Sequence, residues 1–358
     1  MPWSSECVLL AERRPHLVQE VKQKLGMVPQ VFYHVGSLPW VVGGFIGVFA
    51  YGTQHLKYIS REFKDIIHLV NAHETSCRYC YGMARMMMKL NGLSDDKIAK
   101  LEQNMYMFER DGWEKRATAL LRNLSRMNPR VGIEDVRELE AAGMSREAVK
   151  EMVFYSSMNL FVKRFTIPLA IQPDNMEGMV SSPIFKFVRP FIGYMANKTM
   201  RKVRTSFQAI SNKGPFAAIL EPLNDLPEAQ HILRSMIDDA WDSTVLPRRT
   251  KALILAVVGR TLECRFTVDE AARLLENEGY PRDKLDKVLT YLHSDDLDPF
   301  DNKVINFARG TARMQPEQIQ KQCREFSAGL SSEELLEVLG VAAIANLMAR
   351  LSVLMEKS

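Results

Sequence analysis

Ser60-Arg61-Glu62-Phe63-Lys64-Asp65-Ile66-Ile67-His68-Leu69-Val70 is followed, after Asn71-Ala72-His73, by Glu74-Thr75-Ser76-Cys77-Arg78-Tyr79-Cys80. Apolar side chains at 63, 66, 67 and 70 share one stripe of a helix, and Ser60 is a residue type that caps one. Glu74-Thr75-Ser76 offers cap and first-turn residues for a second helix, so Cys77 falls near its start. That helix continues through Met83-Ala84 and stops at Asn91-Gly92. Two consecutive helices meeting at a cysteine are the unit from which the remaining fold is read.

The unit is echoed later in the chain. Cys77-Arg78-Tyr79-Cys80 returns as Cys264-Arg265-Phe266-Thr267, Arg61 falls on Arg248, Gly92 on Gly279, Arg126-Met127-Asn128-Pro129 on Arg313-Met314-Gln315-Pro316, and Asn159-Leu160 on Asn346-Leu347. A tandem duplication follows, with the second thiol of the motif replaced by Thr267. Nearly every segment reads at helical period and none sustains strand alternation, so the expected class is all-α. Helices are expected from Ser94, over Trp113–Met127 and over Ser145–Arg164. Their counterparts are a long helix over Asp239–Arg260, one from Thr267 to Gly279, and starts at Pro316 and Ser331. The expected organisation is an N-terminal arm over 1–35, a first helical domain over 36–170, a linker over 171–222 and a second helical domain over 223–358.

Composition narrows the function classes. The net charge is +4, from 47 basic and 43 acidic residues in 358, which favours no anionic partner by itself. Basic side chains do cluster in the linker, where Lys186, Arg189, Lys198, Arg201, Lys202 and Arg204 interleave with Phe185, Phe187, Phe191, Ile192 and Tyr194. This predicts an amphipathic helix over 185–207, read as a packing arm, with peripheral contact to anionic lipid as the alternative. No nucleic-acid recognition module is apparent. Five cysteines, only two of them closely spaced, do not form a secreted disulfide framework, and Glu6, Glu12, Arg13 and Arg14 interrupt any export signal. A cytoplasmic, reducing setting is expected. Residues 31–55 carry no Asp, Glu, Lys or Arg, but glycines, Ser37, Pro39 and Gln54 dilute them. They read as a buried or oligomer-facing helix rather than a membrane span.

A Cys-x-x-Cys pair on a helical turn brings two sulfurs within disulfide reach, and unpaired amides at the helix start favour the thiolate. Such a pair reacts with a peroxide, closes to a disulfide and is reset by another dithiol. Asp65, on the preceding helix, is a candidate proton acceptor; His68, one turn further on, and His73, just before the motif, are candidate proton relays. Tyr79 and Tyr81 flank Cys80 as a shield or a hydroxyl donor. Zinc lacks a second spaced pair of soft ligands, so no metal and no cofactor is expected.

These residues resemble the alkylhydroperoxidase D-like and carboxymuconolactone decarboxylase superfamily. The resemblance rests on the helix with Asp65, the stretch Glu74–Cys80, Gly92 and the closing helix with Asn159. It covers most of both units and leaves out the arm and the linker. By it, Cys80 is the attacking cysteine, Cys77 the resolving and reductant-exchanging one, and Asp65 stands for the family's glutamate. Ala84 stands where the peroxidase-like branch has its histidine, and aspartate is one methylene shorter than glutamate. The resemblance implies a thiol-dependent peroxidase acting on a small hydroperoxide or other small organic substrate, reset by an unidentified dithiol reductant. It also implies a homo-oligomer, a dimer or a trimer. Two alternatives stand beside it: a non-redox lyase or isomerase with Arg78 or Arg85 facing a substrate carboxylate, and a non-catalytic helical scaffold. The redox reading expects Cys80 to be open to solvent.

Overall fold

The computed structural model describes residues 3–103, 112–128, 130–174 and 213–355, and among them the chain is all-helical, without a strand. The basic aromatic segment over 185–207 lies outside the described residues. The first part of the chain forms α1 (Pro15–Leu25), α2 (Val31–Val35), α3 (Pro39–Ala50), α4 (Arg61–Glu74), α5 (Arg78–Leu90), α6 (Asp95–Gln103), α7 (Trp113–Arg126), α8 (Ile133–Ala141) and α9 (Arg146–Thr166). After a 3-10 segment at Ala217–Leu223 come α10 (Pro227–Asp242), α11 (Arg248–Thr261), α12 (Arg265–Asn277), α13 (Arg282–Tyr291), α14 (Pro299–Ala312), α15 (Pro316–Ser327) and α16 (Ser332–Leu351).

The expected caps form. Ser60 and Ser145 accept from Phe63 N and Ala148 N, and Ser331 closes a capping box with Glu334. The expected helix over Asp239–Arg260 is instead two, α10 and α11, parted at Ser243–Pro247. Pro247 lacks an amide hydrogen and disfavours a helical residue before it, so the chain breaks there and restarts at Arg248.

α9 and α16 are the centre of the molecule and pack against each other. Every α16 residue from Leu335 to Leu351 is buried, as is nearly every α9 residue from Ala148 to Thr166. A helix covered on all sides has no solvent face to pattern, which is why neither carries a marked amphipathic stripe. Residues Ser332–Leu354 form a helix long and apolar enough to cross a membrane by length and composition, yet beyond its first turn it is enclosed by the rest of the chain.

The uncharged 31–55 stretch is buried within the chain. Phe45 packs edge-on against Phe161 and Phe165 of α9. Gly44 and Gly47 let α10 approach, because a Cβ at Gly47 would meet Ile232 at 2.7 Å. Trp40 lies on Gly340 of α16, its indole donating to Glu337 at 3.3 Å.

Two buried arginines tie the halves together reciprocally. Arg164 of α9 donates to the carbonyl of Thr311 at 2.6 Å, and Arg350 of α16 donates to the carbonyl of Ser125 at 3.0 Å. Thr311 and Ser125 lie in the last turns of α14 and α7, so each guanidinium meets the negative end of a helix belonging to the other half. The N-terminal arm also bridges the halves: Val8 N donates to Leu169 O at 3.0 Å, and Ser4 N to Gln320 Oε1 of α15 at 3.0 Å.

Candidate functional site

α4 does not stop before Glu74 as the sequence suggests; it runs through it. Ser76 takes the left-handed conformation, φ 49°, its amide donates to His73 O, and the Cys77 amide donates to Ala72 O at 2.9 Å. This is a Schellman closure with serine in the place usually taken by glycine. Cys77 therefore ends one helix and caps the next: its sulfur accepts the Cys80 amide at 3.4 Å. The joint recurs at Glu263, φ 57°, with the Cys264 amide donating to Gly259 O at 2.9 Å. Glu74 sits in the last turn of α4, where Arg122 and Arg126 of α7 neutralise it. It does not oppose a thiolate at the start of α5.

Both motif cysteines are thiols and both are buried, Cys77 at 0% and Cys80 at 2% exposure. The solvent-open Cys80 expected from the redox reading is thus not observed, because α5 presents this face to α4 and α9. Thr166, the last residue of α9, places its hydroxyl 3.3 Å from Cys77 Sγ and 3.9 Å from Cys80 Sγ. His68 of α4 acts electrostatically on Cys80, and the fully buried Lys163 of α9 acts on both sulfurs. Lys163 donates to the Asn159 side chain one turn back, and the buried Tyr155 lies one further turn back on α9. Gly52, in the π-helical turn Tyr51–His55, lets that turn lie on Tyr155; a Cβ there would sit 2.7 Å from the ring.

The electrostatics separate the two thiols. Burial pushes Cys80 up, but the hydrogen bond from Cys77, the Lys163 ammonium and His68 outweigh it and hold Cys80 well below the usual thiol range. Burial pushes Cys77 up, and the negative charge of Cys80 adds to that. Burial lowers His68 and Lys163, while Cys80 works in the opposite direction on each. The arrangement suits a thiolate at Cys80 and a protonated thiol at Cys77.

The other expected residues stand apart from the sulfurs. Asp65 is buried on α4 but holds Lys64 at 2.9 Å and accepts from Asn91 Nδ2 at 2.5 Å. His73 is partly exposed beside Glu74, 3.9 Å away. Tyr79 donates to Asp174 at 3.1 Å, and Tyr81 engages Arg85 and Glu102, so both hydroxyls are committed away from Cys80. Arg78 faces solvent and Arg85 is paired with Glu102, so neither lines a carboxylate pocket. Among the described residues no group of three His, Cys, Asp or Glu is placed to hold a metal ion.

Lys163 and Thr166 were not anticipated from sequence, although one signal was present. Asn159 and Lys163 recur as Asn346 and Arg350, and Arg350 likewise donates to the Asn346 side chain, at 3.1 Å. In the second half Cys264 meets Thr267 at 3.2 Å and Ser352 at 3.4 Å, a hydroxyl cage without a second sulfur. Compared with known proteins, the chain matches no family model and no curated protein.

Proposed function

We propose that the chain is a thiol-dependent oxidoreductase that reduces a small hydroperoxide, with Cys80 attacking and Cys77 resolving. One observation carries this reading: Cys80 alone among the five cysteines has a histidine, a buried ammonium and a second thiol around its sulfur. A thiolate held in this way is the nucleophile that peroxide chemistry needs. His68 takes the relay position that Ala84 leaves vacant, approaching from α4 rather than from the following turn of α5. The carboxylate of Asp65 acts indirectly, holding Lys64 on the His68 face of α4. Burial of the sulfurs restricts the substrate to small oxidants that enter through local opening of the helix packing.

Mass-resolved thiol labelling tests the reading. Reduced protein is exposed to an organic hydroperoxide and the free thiols are counted over time. A disulfide confined to Cys77 and Cys80 is the expected product, and Cys77→Ser arrests the reaction at Cys80 sulfenic acid. Thiols that stay reduced in the folded protein yet react once it is unfolded would favour the second reading, a helical scaffold with inert cysteines, for which the burial of both sulfurs speaks.

A further inference from the structure

Lys163 has no solvent contact, and its ammonium hydrogen-bonds only the oxygens of Asn159, which are neutral. The charged and titratable groups around it come from three helices. α5 supplies Cys77 and Cys80, α4 supplies His68, and α9 itself supplies Arg164, which turns away toward Thr311. The carboxylate of Asp65 is taken up by Lys64 and Asn91. Thr166, one turn further along α9, lies 3.3 Å from Cys77 Sγ and 3.9 Å from Cys80 Sγ, so the face of α9 that carries Lys163 is turned to the dithiol. Among the described residues no carboxylate pairs with Lys163, and there the thiolate of Cys80 is the negative charge that can balance it. An ammonium in a dry site without a counter-charge is strongly unfavourable.

Disulfide formation removes that thiolate. We infer that Lys163 and Cys80 are a charge-compensating pair whose proton follows the redox state of the dithiol: ammonium beside thiolate when reduced, neutral amine beside the disulfide when oxidised. The inference rests on the dithiol reading above and adds a proton donor to it.

The step balances with a hydroperoxide, ROOH, as oxidant. The Cys80 thiolate attacks the outer oxygen, the O–O bond breaks, Cys80 becomes a sulfenic acid, and the departing alkoxide takes one proton from Lys163 to leave as ROH. The Cys77 sulfur then attacks Cys80 and displaces the hydroxyl, which leaves as water with the Cys77 proton. The dithiol loses two electrons, the peroxide gains them, and the buried site is neutral before and after. On reduction by an external dithiol, Lys163 regains its proton. It is a positioning and proton-holding residue here.

The equilibrium potential of the full chain, measured against thiol–disulfide buffers over a series of pH values, tests this. For the wild type and for each variant the series is restricted to pH values at which Cys80 of that protein absorbs as thiolate. For a two-electron couple each proton taken up contributes about 30 mV per pH unit, since a tenfold change corresponds to about 29.6 mV. The wild type is expected to show about 59 mV per pH unit, two protons for two electrons, on Cys77 and Lys163. Lys163→Met is expected to fall to about 30 mV. Lys163→Arg, which keeps the charge but does not release the proton, falls equally and decides the matter together with the wild type if the methionine variant does not fold. A wild-type slope of about 30 mV, or a slope reduced by His68→Asn and not by the Lys163 variants, overturns the inference while leaving the dithiol reading intact. Absence of any Cys77–Cys80 disulfide across the buffers overturns both.

Discussion

Burial pushes Cys80 up, and Cys77, Lys163 and His68 together pull it below the usual thiol range. Lys163 and His68 approach from different helices, and removing either takes away one of the partners that oppose burial. The sign follows directly: a depressed thiol is reactive above its own midpoint and loses reactivity as pH falls through it. Lys163→Met is therefore expected to move the midpoint of iodoacetamide alkylation at Cys80 to higher pH, with Cys77 unreactive across the same range. An unchanged midpoint would show that Lys163 does not act on the thiolate. At this scale sequence spacing identified Cys77, Cys80 and His68, because a motif on one helix and a histidine on the preceding one are local facts. It did not identify Lys163 or Thr166, which lie in a later helix and reach the sulfurs only through the packing of α9 on α4 and α5. Asp65 was placed on the right helix and His73 only before the motif, but neither position reveals which neighbour claims the side chain.

The elements obey their caps and apolar stripes where one face meets solvent. α7 shows this, with Ala117, Leu120, Leu121 and Leu124 buried while Lys115, Arg116 and Arg126 are exposed. The pattern loses information in α9 and α16, whose whole circumference is enclosed, so their mutual packing was not legible. Close approach there depends on glycine. A Cβ at Gly340 would sit 2.3 Å from the Trp40 ring, which is rigid and tethered to Glu337. Gly340→Ala is expected to destabilise the fold by about 1–3 kcal/mol through overpacking, read as a lower urea midpoint. No change in the midpoint would mean that the indole moves aside freely.

Across the whole molecule, the repeat in sequence foretold matching helices but not how they face one another. The exchange of arginines supplies that relation. Burial pulls Arg350 down to about 9 and lowers Arg164 too, with Arg350 adding repulsion, so both are held at a cost that their carbonyl partners offset. Arg350→Ala loses hydrogen bonds to Ser125 and Asn346 and leaves a void beside α9. It is expected to cost about 2–5 kcal/mol in chemical denaturation, with a single transition retained if the halves unfold together. Two separated transitions in the wild type would show that they do not.

The reciprocal clasp also bears on inheritance. The half that lacks the second sulfur supplies α16, the wall against which the half with the Cys77–Cys80 pair rests α9 and its lysine. A gene shortened to encode that half alone would specify a helix with one side bare and an arginine without its acceptor. Each half thus serves as part of the other's interior, whatever its cysteines do.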